Sequence, residues 1–126
     1  MGKVSKEHYL PVVIWAALII IVSSIPDLST PRFGSGVLDK AAHFVEYFIL
    51  GLLTARAVGG FTPKLWSIFW ISSIFAALFG TLDETHQLLV PGRSMDGLDI
   101  AADVLGSILA SAIFVRYIRN RSATAA

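Results

Sequence analysis

Three short stretches of this 126-residue chain combine acidic, basic and imidazole groups that could do acid–base chemistry. They are residues 39–47, 83–93 and 99–103, and each adjoins a strongly apolar run. Carboxyl and imidazole groups in such surroundings acquire the shifted pKa values that a general acid or base needs. The predicted catalytic residues are His43, Asp83, Glu84, Asp99 and Asp103.

Helical spacing places the members of two of these stretches on common faces. Asp39, His43 and Tyr47 recur every four residues, which puts them on one side of a helix. Asp99 and Asp103 are also four residues apart. Asp39 is in addition a candidate N-cap, because a side-chain carboxylate can accept from the free N–H groups of a first helical turn.

Two basic residues could hold an anion beside these groups. Arg93 ends a Pro-Gly-Arg turn, and a guanidinium binds phosphate through two parallel hydrogen bonds. Lys40 lies within the first polar stretch. Together with Tyr47 and Gln87, these two residues form the predicted substrate-binding set.

A divalent cation is a candidate cofactor, since carboxylate oxygens and imidazole nitrogen are suitable ligands for one. The candidate metal ligands are Asp83, Glu84 and Asp99. Their spacing matches no established metal motif, so the sequence assigns no cofactor. The chain contains no cysteine, which excludes disulfides, thiolate zinc sites and a thiol nucleophile.

The elements that must position these residues are transmembrane helices. The chain is 55% hydrophobic and 15% charged, whereas soluble domains average about 45–50% and 25%. The sequence predicts an all-α integral membrane protein, a bundle of four helices at about 9–25, 39–58, 64–89 and 97–118. One domain spans residues 1–121, and the Ala/Ser/Thr-rich tail 122–126 is predicted to be disordered.

The charges divide unequally between the two sides of this bundle. Seven of the ten Lys and Arg residues fall on the side of the termini, so the positive-inside rule places both termini in the cytoplasm. Eight of the nine acidic residues fall on the opposite side. Ionisable residues within a membrane are costly and usually mark a functional site. We therefore expect a polar pocket in the outer leaflet of the membrane.

The same residues resemble the two signatures of the VanZ-like family. The first is Asp39-Lys40-x-x-His43-Phe44-x-x-Tyr47 followed by Leu50-Gly51. The second is Asp83-Glu84-x-x-Gln87, then Pro91-Gly92-Arg93, then Asp99, Asp103 and Gly106, and Ser24-Ile25-Pro26 also fits. The resemblance covers about residues 10–115. At position 103 the family often has Asn, whereas this chain has Asp.

The resemblance implies a small, multi-spanning bacterial protein of the cell envelope. The founding member of the family is associated with resistance to the glycopeptide antibiotic teicoplanin, so a link to such resistance is expected here too. The resemblance does not name a reaction, and whether the chain is an enzyme stays open at this point.

Two functions remain in competition. In the first, the pocket binds or acts on an anionic lipid or a lipid-linked envelope intermediate, as a hydrolase or transferase at the head group. In the second, the chain is a non-catalytic partner of another membrane protein, and its polar cluster is a structural ion-pair network. A proton relay is disfavoured because the acids lie on one side only. Nucleic-acid binding has no support, because the basic residues are sparse and explained by topology.

Overall fold

A computed structural model describes residues 5–27 and 36–124 of the chain. These residues form four helices and no strand: α1 (Lys6–Ser23), α2 (Val37–Phe61), α3 (Leu65–Gln87) and α4 (Gly97–Thr124). The all-helical prediction is therefore confirmed, with helix ends that differ from the predicted ones by a few residues. Residues 1–4, part of the predicted outer loop including Arg32, and residues 125–126 lie outside the described residues.

All four helices are long and apolar enough to cross a membrane. The shortest, α1, has 18 residues, which at about 1.5 Å per residue is close to the thickness of a hydrocarbon core. Many large apolar side chains point away from the bundle, among them Ile14, Leu78 and Leu105. This arrangement, with apolar side chains outside and polar side chains inside, is the opposite of that in a soluble helical bundle. It is the arrangement expected for a bundle in lipid.

Helices α2 and α4 form the most extensive helix–helix contact of the bundle, and small residues allow their backbones to approach closely. A Cβ atom added at Gly106 would overlap the backbone oxygen of Phe44. A Cβ atom at Gly51 would lie 2.9 Å from the Cα atom of Ser107. Close backbone approach of this kind holds membrane helices together, because packing rather than a hydrophobic driving force associates them in lipid.

The other two helices complete the interior. Ile19 of α1 packs with Tyr47 and Leu50 of α2 and with Ala76 of α3. Trp15 Nε1 donates to the backbone oxygen of Glu46 at 3.0 Å, which ties α1 to α2. Because α1 contributes few buried residues, the polar residues described below are enclosed mainly by α2, α3 and α4.

Two predicted helix ends differ from the structure. The N-cap position of α2 is Gly36, whose φ of 117° lets the chain turn into the helix two residues before Asp39. Asp39 therefore lies in the first turn of α2 and is not the N-cap.

The C-terminal end of α4 also differs from the prediction. This helix continues to Thr124, which makes residues 122–124 of the predicted disordered tail helical. The Ser122 and Thr124 hydroxyls donate to backbone oxygens one turn earlier.

Candidate functional site

The structure brings all nine predicted site residues to one end of the bundle, where α2 begins, α3 ends and α4 begins. Seven of their side chains are buried: His43, Tyr47, Asp83, Glu84, Gln87, Asp99 and Asp103. Lys40 and Arg93 are partly exposed at the rim. We call these nine residues the polar cluster. Burial of four carboxyl groups requires nearby positive charge, protons or hydrogen bonds to offset the cost of desolvation.

His43 lies at the centre of the polar cluster. Its Nδ1 atom forms a hydrogen bond with Asp103 Oδ1 at 3.0 Å. Its Nε2 atom faces Glu84 Oε1 at 3.7 Å and Asp99 Oδ2 at 3.8 Å, both beyond hydrogen-bonding distance. With only 7% of the residue exposed, the imidazole touches carboxylates from both α3 and α4. One ring nitrogen is thus fixed by a carboxylate, while the other has no hydrogen-bond partner among the described residues.

The end of α3 supplies a second branch of the polar cluster. Gln87 Nε2 donates to Glu84 Oε1 at 3.2 Å and lies 3.5 Å from Asp83 Oδ2. Arg93 Nε donates in turn to Gln87 Oε1 at 3.2 Å. The turn that carries Arg93 includes Gly92, whose φ of 74° favours glycine. Gln87 therefore connects the rim arginine to the buried carboxyl groups.

Lys40 forms another part of the rim. Its Nζ atom lies 2.6 Å from Asp99 Oδ1, 2.5 Å from Asp96 Oδ2 and 3.7 Å from Asp39 Oδ2. About a quarter of the lysine side chain is exposed (24%). Lys40 therefore neutralises the exposed edge of an acidic site and lies between that site and solvent.

Tyr47 and Asp103 close the inner end of the polar cluster against α3. A Cβ atom at Gly80 would lie 2.8 Å from Asp103 Oδ2 and 3.1 Å from Tyr47 Cε1. Asp103 Oδ2 is buried and has no hydrogen-bond partner in the part of the chain that the structure describes. The glycine thus makes room for a carboxylate at a depth where charge is costly.

The polar cluster lies within a region that matches a known protein family. The family model VanZ/LLP1 matches residues 5–119, which is most of the chain and includes the whole cluster. The chain belongs to the VanZ-like family. No curated protein and no solved structure matches it. The resemblance seen in the sequence is confirmed, and membership supports a VanZ-type envelope or resistance protein in general terms.

Two groups of side chains in this VanZ-like protein could hold a metal ion. One is Asp39, His43 and Asp99, and the other is His43, Glu84 and Asp103, with ligand atoms within 4.8 Å of one another in each. Lys40 already supplies positive charge to Asp99, so the second, fully buried group is the better candidate. His43 belongs to both groups, whereas the predicted ligand Asp83 belongs to neither.

Sequence reasoning missed one residue of the site, Asp96. Its carboxylate accepts from Lys40 Nζ and from the backbone N–H of Leu98 at 2.8 Å, and its own N–H donates to Glu84 Oε2 at 3.1 Å. Asp96 thus joins all three polar helix ends. The available signal was its position directly before α4, where an aspartate serves as an N-cap.

Asp96 makes the stability of this end of the bundle depend on pH. The Lys40 ammonium and the Leu98 N–H hold the pKa of the Asp96 carboxyl below its ordinary value of 3.8. A lowered pKa in the folded state contributes stability above pH 3.8 that is lost as the pH falls through the folded value. Melting temperatures in detergent should therefore fall less steeply below this pH in Asp96→Asn than in the native chain. Equal slopes for the two proteins would contradict this assignment.

Proposed function

We propose that this VanZ-like protein binds the phosphate-containing head group of an anionic envelope lipid or lipid-linked intermediate and acts on it at the polar cluster. The lipid tail stays in the bilayer, which suits a site at one end of four membrane-length helices. A contribution to glycopeptide resistance, including resistance to teicoplanin, belongs to the same proposal. It would follow if the lipid carries a cell-wall precursor.

The arrangement of His43 is the observation that carries this proposal. A carboxylate bound to one ring nitrogen fixes the orientation of an imidazole and stabilises its protonated form. Asp103 occupies that position at Nδ1, and Nε2 points toward the Glu84 and Asp99 carboxylates without a hydrogen bond to either. This is the geometry of a general acid–base imidazole with its second nitrogen available for a reacting group.

The rim residues suit the anionic part of such a substrate. Lys40 lies at the exposed edge of the cluster, 2.6 Å from Asp99, which itself faces His43. Arg93 uses its Nε atom for Gln87, and its terminal guanidinium nitrogens make no ion pair within the described residues. A phosphate held by these two cations would bring its ester bond toward Nε2 of His43.

The proposed step is hydrolysis or transfer at the head group. Nε2 of His43 accepts the proton of the attacking water or hydroxyl as the new bond to phosphorus forms. The bond to the leaving oxygen breaks, and the imidazolium returns the proton to that oxygen. Asp103 holds the imidazole throughout, and the other carboxylates balance its charge.

The proposal includes the orientation predicted from the charges, with the termini in the cytoplasm and the polar cluster facing outward in the bacterial inner membrane. The basic residues at the terminal side support it. Since the chain has no cysteine, labelling a single cysteine placed at Ser94 with an impermeant reagent checks this orientation.

The test measures turnover of labelled polyprenyl phosphates and anionic phospholipids by the purified full chain in lipid nanodiscs. We expect His43→Gln to lower turnover about a hundredfold, since a positioned general acid–base contributes on this scale. Asp99→Asn should also lower it. The matched control is His86→Gln, because the His86 ring is hydrogen-bonded to Ser24 Oγ at 3.0 Å and forms no hydrogen bond or ion pair with the polar cluster among the described residues.

Two results would overturn the proposal. One is unchanged turnover of every tested lipid in both the His43 and Asp99 variants. The other is a native chain that turns over none of them. Equal losses in the His86 control would show that the assay reports folding and not chemistry, and would also count against an acid–base role for His43.

The contacts that the two basic residues of the rim already make within the protein support a second candidate function. Lys40 already contacts three carboxylates, and Arg93 is hydrogen-bonded to Gln87, as in a structural network. Under this alternative the chain is a non-catalytic partner of another membrane protein. Absence of intrinsic activity, together with loss of a co-purifying partner in Arg93→Ala, would favour it over the enzyme.

A further inference from the structure

A cavity of about 560 Å³ opens at the end of the bundle opposite the polar cluster. It lies where α2 and α4 end and where α1 and α3 begin. Its size falls within the range of small-molecule sites, about 300–1,000 Å³. The proposed function does not use this cavity, so a role for the cavity is independent of that function.

The ionisable side chains that line this cavity, among the described residues, are two arginines and one histidine. Arg56 comes from α2, Arg119 from α4 and His8 from α1, and no carboxylate lines the cavity within the described residues. Neither arginine forms an ion pair in the described part of the chain, in contrast to Lys40 at the other end. Two guanidinium groups at one opening could hold an anion, since their planar forks match phosphate.

The rest of the cavity wall is largely apolar. Ile68, Phe114 and Ile118 are among the residues that line it. Gly60 lets the His8 ring lie directly against α2, since a Cβ atom there would be 2.7 Å from His8 Cδ2. The cavity thus combines two exposed arginines with an apolar wall at the ends of membrane-length helices, where lipid head groups are expected.

We propose that this cavity binds an anionic phospholipid from the leaflet on the side of the chain termini. The phosphate lies between Arg56 and Arg119, and the upper part of an acyl chain lies along Phe114 and Ile118. Basic pockets between membrane helices recognise anionic head groups in this way. A free phosphate would satisfy the arginines but leave the apolar wall uncovered, which favours the lipid.

The experiment compares retention of phosphatidylglycerol and phosphatidylcholine with identical acyl chains by the full chain in mixed micelles. Native mass spectrometry measures how much of each lipid remains bound to the protein. We expect the native chain to retain more phosphatidylglycerol than phosphatidylcholine. In the double variant Arg56→Gln/Arg119→Gln, the ratio of the two bound lipids should fall about tenfold. The matched control is Arg116→Gln/Arg121→Gln, which removes the same charge from residues that do not line this cavity.

A second variant keeps the charges and fills the space. A Cβ atom at Gly59 would meet Phe114 at an ordinary 3.5 Å, so Gly59→Leu can place its side chain in the cavity without a backbone clash. It should lose bound phosphatidylglycerol although both arginines remain. No preference in the native chain, an equal loss in the control pair, full retention by Gly59→Leu, or inorganic phosphate competing as well as the lipid would each overturn the proposal.

Discussion

Replacement of His43 by leucine should lower the free energy of unfolding by about 3–5 kcal/mol, the cost of removing one partner from a buried ion pair. Asp103 and Glu84 are fully buried, and the imidazole lies against both of them. Without it, both carboxyl groups stay within the membrane-spanning bundle and lose the one basic side chain that lies against both of them among the described residues. Unfolding by SDS in mixed micelles, followed by circular dichroism, measures the change.

Removal of both partners should cost less than removal of His43 alone. A buried pair replaced by apolar side chains of similar volume is often neutral or stabilising, because the desolvation cost disappears with the charges. We therefore expect His43→Leu/Asp103→Leu to recover a large part of the stability lost in His43→Leu. A double variant that is as unstable as the sum of both single variants would show that the 3.0 Å contact carries no coupling.

This pair of variants also separates folding from chemistry. A double variant that folds well but turns over no lipid would favour a catalytic His43. A double variant that folds well and keeps every activity of the native chain would favour the structural network. Asp103→Asn keeps an acceptor for the imidazole N–H. We expect this substitution to be the mildest change at the His43–Asp103 contact.

The helices and the location of the polar residues could be predicted because both follow from local sequence. A spanning helix needs about 20 apolar residues, and three of the four predicted helices carry polar groups at the same end. Helical spacing places Asp99 and Asp103 on one face, the cost of ionisable groups in lipid favours burial of these two and of His43, and the structure buries all three. Their burial was therefore readable from charge placed inside apolar segments.

The contacts that these residues make could not be predicted from the sequence. They depend on how each helix is rotated about its axis and on the path of the connection between α3 and α4. Lys40 reaches Asp96, which is 56 residues away in the chain. No periodicity carries that information, and Asp96 precedes its helix outside any apolar run. The cavity at the other end of the bundle is hidden for the same reason, since Arg56 and Arg119 line one cavity only when the ends of α2 and α4 are placed in space.

The largest packing effect is expected at Gly106, where α4 approaches the backbone of α2. A Cβ atom at this position would overlap the backbone oxygen of Phe44 and lie 3.1 Å from the backbone nitrogen of Phe48. No rotamer change relieves contact between a Cβ atom and a backbone, so the helices themselves must separate. Overpacking costs about 1–3 kcal/mol and occasionally more.

Gly106→Ala should therefore destabilise the bundle by about 2 kcal/mol or more, even though alanine gains about 1 kcal/mol in helix propensity. Gly97→Ala is the matched control, because a Cβ atom at the start of α4 meets nothing within 4 Å. Unfolding by SDS, followed by circular dichroism, measures the free energy of unfolding of both variants. Equal stabilities would mean that α2 and α4 are farther apart than the structure places them. The polar cluster would then have to be held together by its own contacts, because the Gly106 approach lies one turn from Asp103 on α4.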